Sequence, residues 1–392
     1  MAKLIVGKEG QICLPEAYRN QYRLEPGTVL VLEPSERGLA LHTARPDVQR
    51  VYIEVTTRCN LNCAMCVRND WKDQQGRMSA DTFQAIFEGL KAFPGLKRVV
   101  LGGYGEPLMH PGIVEMVAQI HALGADVTMM TNGLLLERPL AGALLKAGVD
   151  TLVVSMDSMH VQAYAKAGLK RGLDLVLDNL QGLHGLIRDC GWKLPALGLE
   201  YVATRSNLEE LYKLPEIARQ VGASFVMVTN LLPHTQELAG EILYDRDEIL
   251  QLGGGWGIHR AGWIAWGIPK LPRMKWGAGQ QCRFVNESSL TIGWDGGVSP
   301  CSALMHSYPY YIYGRRKEVS RYVLGFVGEQ SLADIWTSEE YVLFRAKVSA
   351  FRFPSCVDCG MDCTYAQENN DCWGNEPSCA DCLWAQGIFQ CP

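Results

Sequence analysis

The chain has 392 residues, 47% of them hydrophobic and 20% charged, with a formal net charge of −5. This is the composition of an ordinary globular chain with room for two or three domains, and its negative balance offers no bulk attraction to nucleic acid. No apolar run reaches the roughly 18 residues of a membrane span, the opening MAKLIVGKEGQICLPEAYRN has no apolar signal-peptide core, and fourteen cysteines in an expected reducing cytoplasm point to metal rather than disulfides.

Residues 1–45 read as a separate unit. LIVGKEGQICLP is a strand, a glycine turn and a second strand; PEAYRNQYRL is a short helix with Pro15 early in it; EPGTVLVLEP and GLALHTA are two further strands. The GKEGQI-x-LP opening, the short helix and the Pro-Gly turn resemble the AbrB-type swapped-hairpin module. That resemblance implies a homodimer made by exchanging hairpins, and in many such modules DNA binding. Seven Lys and Arg against six Asp and Glu over residues 1–50 leave little for phosphate contacts. Dimerisation or partner docking is therefore the expected role, and a hairpin unit this small needs a partner surface to bury a core.

ARPDVQR (44–50) reads as a linker, after which strands and helices alternate. Strands are expected at 51–57, 98–103, 126–133, 150–157, 196–205 and 224–232. Helices are expected at 79–93 (with Ser79 as N-cap), 111–124, 138–148, 172–191 and 207–222. With no hairpin signal between the strands, they should run parallel with crossover helices. The fold class is α/β, a partial (β/α)6 barrel over residues 51–232 with an open lateral side. Sites in such sheets lie at the C-terminal ends of the strands. Residues 233–281 are rich in Gly and Trp and read as a bridge or a substrate lip; residues 282–392 form a cysteine-rich C-terminal domain.

Cys59, Cys63 and Cys66, spaced C-x3-C-x2-C, directly follow the first strand of the repeat. Three thiolates this close suit three irons of a [4Fe–4S] cluster and leave the fourth iron open to a substrate. Three further motifs fall at later strand ends: Gly103-Tyr104-Gly105-Glu106-Pro107, Thr131-Asn132-Gly133 and Ser155-Met156-Asp157. Residues 51–232 thus resemble the radical S-adenosylmethionine (SAM) core. The resemblance implies a 5′-deoxyadenosyl radical made from SAM at the open iron. It also implies SAM contacts from Gly103, Gly105, Glu106 (to the SAM ammonium), Pro107, Asn132, Ser155 and Asp157, with Arg205 near the SAM carboxylate. Asp157 also reads as a helix N-cap, and Arg205 as a surface charge. Family members place an aromatic before the third cysteine; here Met65 stands there, able to pad an adenine edge.

The C-terminal part holds nine cysteines: Cys282, Cys301, Cys356, Cys359, Cys363, Cys372, Cys379, Cys382 and Cys391. Cys282-x13-Gly296-x4-Cys301 resembles the opening of a SPASM domain, although the later spacings depart from that family's pattern. The resemblance implies auxiliary [4Fe–4S] clusters, two if eight cysteines serve; the alternative for paired C-x2-C motifs is zinc. Cys13 and Cys190 are isolated and read as structural. The tail CADCLWAQGIFQCP and the hairpin module together resemble the radical SAM maturases of tungsten-dependent aldehyde-type oxidoreductases. A tungsten oxidoreductase or its pterin cofactor is then the expected substrate, and a ferredoxin or flavodoxin the electron donor. Two other readings remain open: a SPASM enzyme that crosslinks peptides, and an iron–sulfur DNA-binding regulator. No acid or base stands out among Tyr104, Glu200 and His259.

Overall fold

The computed structural model describes the chain except residues 1–3, 23, 36–37, 45–47, 157–171, 192–194, 245–278, 313, 357–358, 360–367 and 390–392. The N-terminal unit contains helix α1 (Glu16–Tyr22) and an antiparallel hairpin of β1 (Leu30–Ser35) and β2 (Gly38–Thr43). The strands expected on either side of the first turn reduce to one bridge, Val6 to Ile12.

Six parallel strands follow: β3 (Arg50–Ile53), β4 (Arg98–Leu101), β5 (Asp126–Thr131), β6 (Thr151–Ser155), β7 (Ala196–Ala203) and β8 (Phe225–Asn230). They pair in chain order, as the α/β reading requires. Adjacent residues such as Val99, Val100 and Leu101 are all buried. Both faces of the sheet are therefore covered, as parallel sheets demand.

The crossover helices are α2 (Ala80–Leu90), α3 (Ile113–Ala122), α4 (Arg138–Ala147), α5 (Gly172–Asp189) and α6 (Leu214–Val221). Helix α2 starts as its sequence dictates: Ser79 Oγ accepts the Thr82 N–H, and Phe83, Ile86 and Leu90 form the buried stripe. The helix expected over 207–222 is divided. Residues Leu208–Lys213 form a 3-10 turn, and Pro215 sits in the first turn of α6, where its missing N–H costs nothing.

On the side of β3 the sheet continues beyond the six units. Strand β9 (Ser289–Ile292) pairs parallel with β3, joining Val51 to Leu290 and Ile53 to Ile292. Strands β10 (Gly297–Ser299) and β13 (Gly325–Phe326) extend it antiparallel, giving one nine-stranded sheet. A separate hairpin, β11 (Tyr308–Ile312) and β12 (Arg315–Val319), precedes helices α9 (Leu332–Thr337) and α10 (Glu339–Ser349); short helices α7 (Gln236–Ala239) and α8 (Arg283–Asn286) lie earlier. Sequence periodicity does not carry this pairing, because SLTI is too short to stand out and its partner is more than 200 residues away.

The N-terminal hairpin rests on α10. Val31, Ala44 and Val342 share a small buried cluster, and both guanidinium nitrogens of Arg352 meet the Glu33 carboxylate at 2.9 and 3.0 Å. Elsewhere the unit exposes Leu4, Ile5, Val6, Ile12, Val29, Leu32, Leu39 and Leu41.

Candidate functional site

Cys59, Cys63 and Cys66 lie on the loop after β3, all half-buried and without disulfides. The loop folds back on itself: Cys66 N–H donates to Cys63 O at 3.0 Å, and a 3-10 turn (Val67–Asp70) follows. Arg68 sits beneath it. Its Nε donates to Cys66 Sγ (3.3 Å), and its other nitrogens hold Thr57 O and Leu61 O at 3.0 Å each. The guanidinium lies close enough to all three thiols to act on each. The Leu61 N–H also donates to Cys59 Sγ at 3.4 Å. Burial pushes the Cys59 thiol up. Three thiols ringed by N–H donors and a fixed cation fit an anionic iron–sulfur cluster, whose sulfurs accept such bonds.

The neighbouring motifs gather on this loop. Gly105 passes so near the cysteine loop that a Cβ would lie 2.1 Å from Thr56 O, so only glycine fits. The Glu106 N–H donates to Arg58 O at 2.8 Å. The Glu106 carboxylate is buried and accepts from Leu108 N–H (3.0 Å), Thr131 Oγ1 (2.8 Å) and Asn132 N–H (2.8 Å). Burial pushes its pKa up while these bonds pull it back. Asn132 then reaches Asn60 Oδ1 at 2.8 Å and Cys59 Sγ at 3.7 Å. Glu106 thus ties the β4 loop to the end of β5, with one lone-pair position left for a ligand. Pro107 opens a buried 3-10 turn. Met65 is half-buried on the cysteine loop, and Ser155 ends β6 opposite Glu200. Arg205 is exposed beside the Glu241 carboxylate. Asp157 and His259 lie outside the described residues.

In the C-terminal domain, Cys282, Cys301, Cys379 and Cys382 come together, each close enough to act on at least one other. Burial pushes all four thiols up, Cys282 to about 12. Cys301, Cys379 and Cys382 line a cavity with Tyr308, Lys317 and Asp381, and Lys317 pairs with Asp381 inside the protein. No three described His, Cys, Asp or Glu side chains converge as on a single ion. A cubane is a larger body that asks its ligands to stand apart, and three thiols lining a cavity with a fourth, Cys282, close by fit it. Cys356 is buried among Asp381, Lys317, Arg315 and Asp371. Cys359 is half-buried and Cys372 exposed; Cys363 and Cys391 lie outside the described residues. Cys13 and Cys190 are exposed, so neither belongs to a core.

Several residues of the site escape motif reading. Arg68 stands two places after Cys66. Glu54, directly after β3, is a carboxylate in an apolar run and 1% exposed, a signal in VYIEVTT that a buried partner must exist. His306 is that partner. His234, just past β8, pairs with Asp70 beside the cysteine loop, linking the first and last units of the barrel at the strand C-terminal end.

The radical SAM superfamily pattern matches residues 53–200, and the SPASM pattern, an iron–sulfur cluster-binding domain, matches residues 282–364. The chain is 36% identical over 356 residues to the tungsten-containing aldehyde ferredoxin oxidoreductase cofactor-modifying protein of Pyrococcus furiosus, covering 87% of this chain and 96% of that one. A probable GTP 3′,8-cyclase of Methanocaldococcus jannaschii is 26% identical over 195 residues, 50% of this chain and 62% of its own length. Among solved structures, Streptococcus suis SuiB bound to S-adenosylmethionine superposes with a TM-score of 0.54 at 17% identity, covering 80% of this chain and 71% of that one. That likeness concerns the fold alone.

Proposed function

Since this chain belongs to the radical SAM superfamily and carries a SPASM domain, we propose that it is a maturase acting on the cofactor of a tungsten-dependent aldehyde-type oxidoreductase. It is a radical SAM enzyme whose core binds a [4Fe–4S] cluster and SAM and whose C-terminal domain binds auxiliary iron–sulfur clusters. The observation that carries the substrate is the identity to the Pyrococcus protein along nearly its whole length.

Cys59, Cys63 and Cys66 hold the SAM-binding cluster in this reading, and Cys282, Cys301, Cys379 and Cys382 hold one closed auxiliary cluster. Cys356, Cys359, Cys363, Cys372 and Cys391 remain for a second. When bound, the open cluster and SAM supply a 5′-deoxyadenosyl radical that takes a hydrogen atom from a substrate C–H bond. The chain's own work is placement. Arg68 neutralises the cysteine loop, and Glu106 and Asn132 fix the SAM loop against β5. Gly103, Gly105 and Pro107 shape that loop, Met65 would pad the adenine edge, Ser155 would meet the ribose or carboxylate of SAM, and Arg205 its carboxylate; Asp157, the other residue expected there, lies outside the described residues. The strand ends keep water from the reacting atoms. The exposed apolar residues of the N-terminal unit support pairing with a second copy of the chain, and a ferredoxin or flavodoxin is the electron donor.

Anaerobically reconstituted chain, given dithionite, SAM and a tungsten oxidoreductase or its isolated pterin cofactor, should form 5′-deoxyadenosine in step with a mass change on that cofactor. Formation that depends instead on a short peptide, which acquires a crosslink, would overturn the substrate assignment.

A further inference from the structure

We infer that His306 is a positioning residue for SAM, acting through Glu54 so that the shape of the Gly103–Glu106 loop depends on the auxiliary domain. The inference rests on the reading of that loop as SAM-binding.

Glu54 follows the last residue of β3, and its side chain is 0% exposed. A carboxylate there needs donors on both oxygens. Oε1 accepts the Tyr104 N–H at 2.9 Å, a donor supplied by the SAM loop itself. Oε2 receives His306 Nε2 at 2.7 Å, and His306 comes from the segment that follows Cys301 in the auxiliary domain. One carboxylate therefore joins the SAM loop to the auxiliary domain.

The loop has little freedom to ignore Glu54. Gly103 has φ 139°, and a Cβ there would lie 2.6 Å from Glu54 Oε1, so the backbone rides directly on the carboxylate. Tyr104 stands edge-on to both Trp71 (5.1 Å between centroids) and His306 (5.7 Å). His306 is in turn held from every side. Trp71 stacks on it at 3.8 Å and 18°. Its Nδ1 lies 3.4 Å from Asp73 Oδ2, and that carboxylate also accepts the Ser307 N–H at 2.7 Å. The charged groups facing the ring are thus Glu54 from the barrel and Asp73 from the segment after the cysteine loop. With Nε2 bonded to Glu54 and Nδ1 within ion-pair distance of Asp73, the two carboxylates favour the imidazolium form.

The SAM loop has two anchors of different origin. Glu106 ties its far end to β5, within the barrel. Glu54 ties its near end to His306, outside the barrel. Without His306, Glu54 is a buried charge whose remaining partner is a backbone N–H of the SAM loop, and it must protonate or turn away. Either response moves Tyr104 and Gly103. SAM is then held well only by a chain whose auxiliary domain is in place.

The test uses the full reconstituted chain and the variants His306→Gln, Glu54→Gln and the double variant. Binding is read from the change SAM makes in the electron paramagnetic resonance signal of the reduced cluster, alongside steady-state kinetics. Each single variant should raise the dissociation constant and KM for SAM about tenfold, with iron content and turnover at saturating SAM within about threefold of wild type. The double variant should be no worse than either single one, because both cut the same link. If the buried variants fail to fold, the half-exposed Asp73→Asn should still weaken SAM about threefold, since it removes one of the two charges that hold His306. Unchanged SAM affinity in His306→Gln or in Asp73→Asn, or additive losses in the double variant, would overturn the inference. Asn132→Ala separates the two levels. If it weakens SAM while His306→Gln does not, the loop reading stands and the role of His306 falls; if neither moves SAM binding, the loop reading itself falls and takes the inference with it.

Discussion

Arg68 touches Cys66 Sγ through Nε at 3.3 Å while its other two nitrogens hold two carbonyls of the cysteine segment, Thr57 O before Cys59 and Leu61 O between Cys59 and Cys63. One guanidinium therefore sets both the charge and the fold of the loop. Arg68→Leu removes the cation and leaves two buried carbonyls short of a donor, at about 1–3 kcal/mol each. Iron bound at this site should fall, and what remains should have a lower reduction potential, since a fixed positive charge favours the added electron. Redox titration followed by electron paramagnetic resonance measures both. A potential unchanged from wild type would show that the guanidinium does not act on the cluster.

The auxiliary cysteines divide by position. Cys379→Ala should remove one cluster and lower iron from about twelve to about eight per chain, leaving the SAM-binding signal intact. Cys282→Ala should give the same loss, and the pair together no greater one. Separate losses for the two variants would place them on different clusters.

Backbone approach governs Gly105. With Thr56 O only 2.1 Å from the site of a Cβ, Gly105→Ala must push the β4 loop away from the cysteine loop. SAM should bind at least about tenfold more weakly, or ~1.4 kcal/mol. Gly142, on an open face of α4 with nothing near its Cβ site, should accept Ala with no loss, as thermal unfolding and SAM titration would both record.

The His306 imidazole is raised from 6.5 to about 9: Glu54 and Asp73 outweigh the opposing effect of burial. A raised histidine stabilises the fold fully below its unfolded pKa and loses that contribution as pH rises through the folded value. The free energy of unfolding from urea titrations should therefore be steady near pH 6 and fall between about pH 7 and 10, by on the order of a few kcal/mol. His306→Gln should be less stable at neutral pH and show a flatter curve. A wild-type midpoint that does not fall toward pH 10 would contradict the assignment.

At the N-terminal unit, Arg352 holds the Glu33 carboxyl below its usual range. The pair is partly exposed, so Glu33→Ala should cost under about 1 kcal/mol. Val342→Asp, which buries a charge beneath the hairpin, should release the unit far more readily to a protease. Equal cleavage of the two variants would mean that the hairpin is not held by that apolar contact.

The barrel was legible because each strand is a run of β-branched and aliphatic residues bounded by a cap or glycine, as at Ser79 and Gly148. The cysteine loop and the Gly103–Pro107 motif were legible because their residue types are few and their spacing short. What lay hidden depends on distance along the chain. Glu54 advertises a partner but not that it is His306, 252 residues later. The grouping of Cys282 and Cys301 with Cys379 and Cys382 needs the intervening chain to fold back, and no spacing encodes that return. Helix division at Pro215 shows the opposite case, a local cue that outranks a continuous apolar period.

The pairing of β9 with β3 gives the two iron–sulfur regions a shared backbone ladder. A chain ending at residue 281 would not be a barrel lacking an accessory. It would expose the unpaired N–H and C=O groups of β3 along an apolar edge, an invitation to stack with other copies. The cysteine loop springs from that same strand. Removing the C-terminal region to study SAM cleavage alone would then remove the wall against which the cleaving site is built, so a silent or aggregated truncation would report on the sheet and not on the chemistry of the auxiliary clusters.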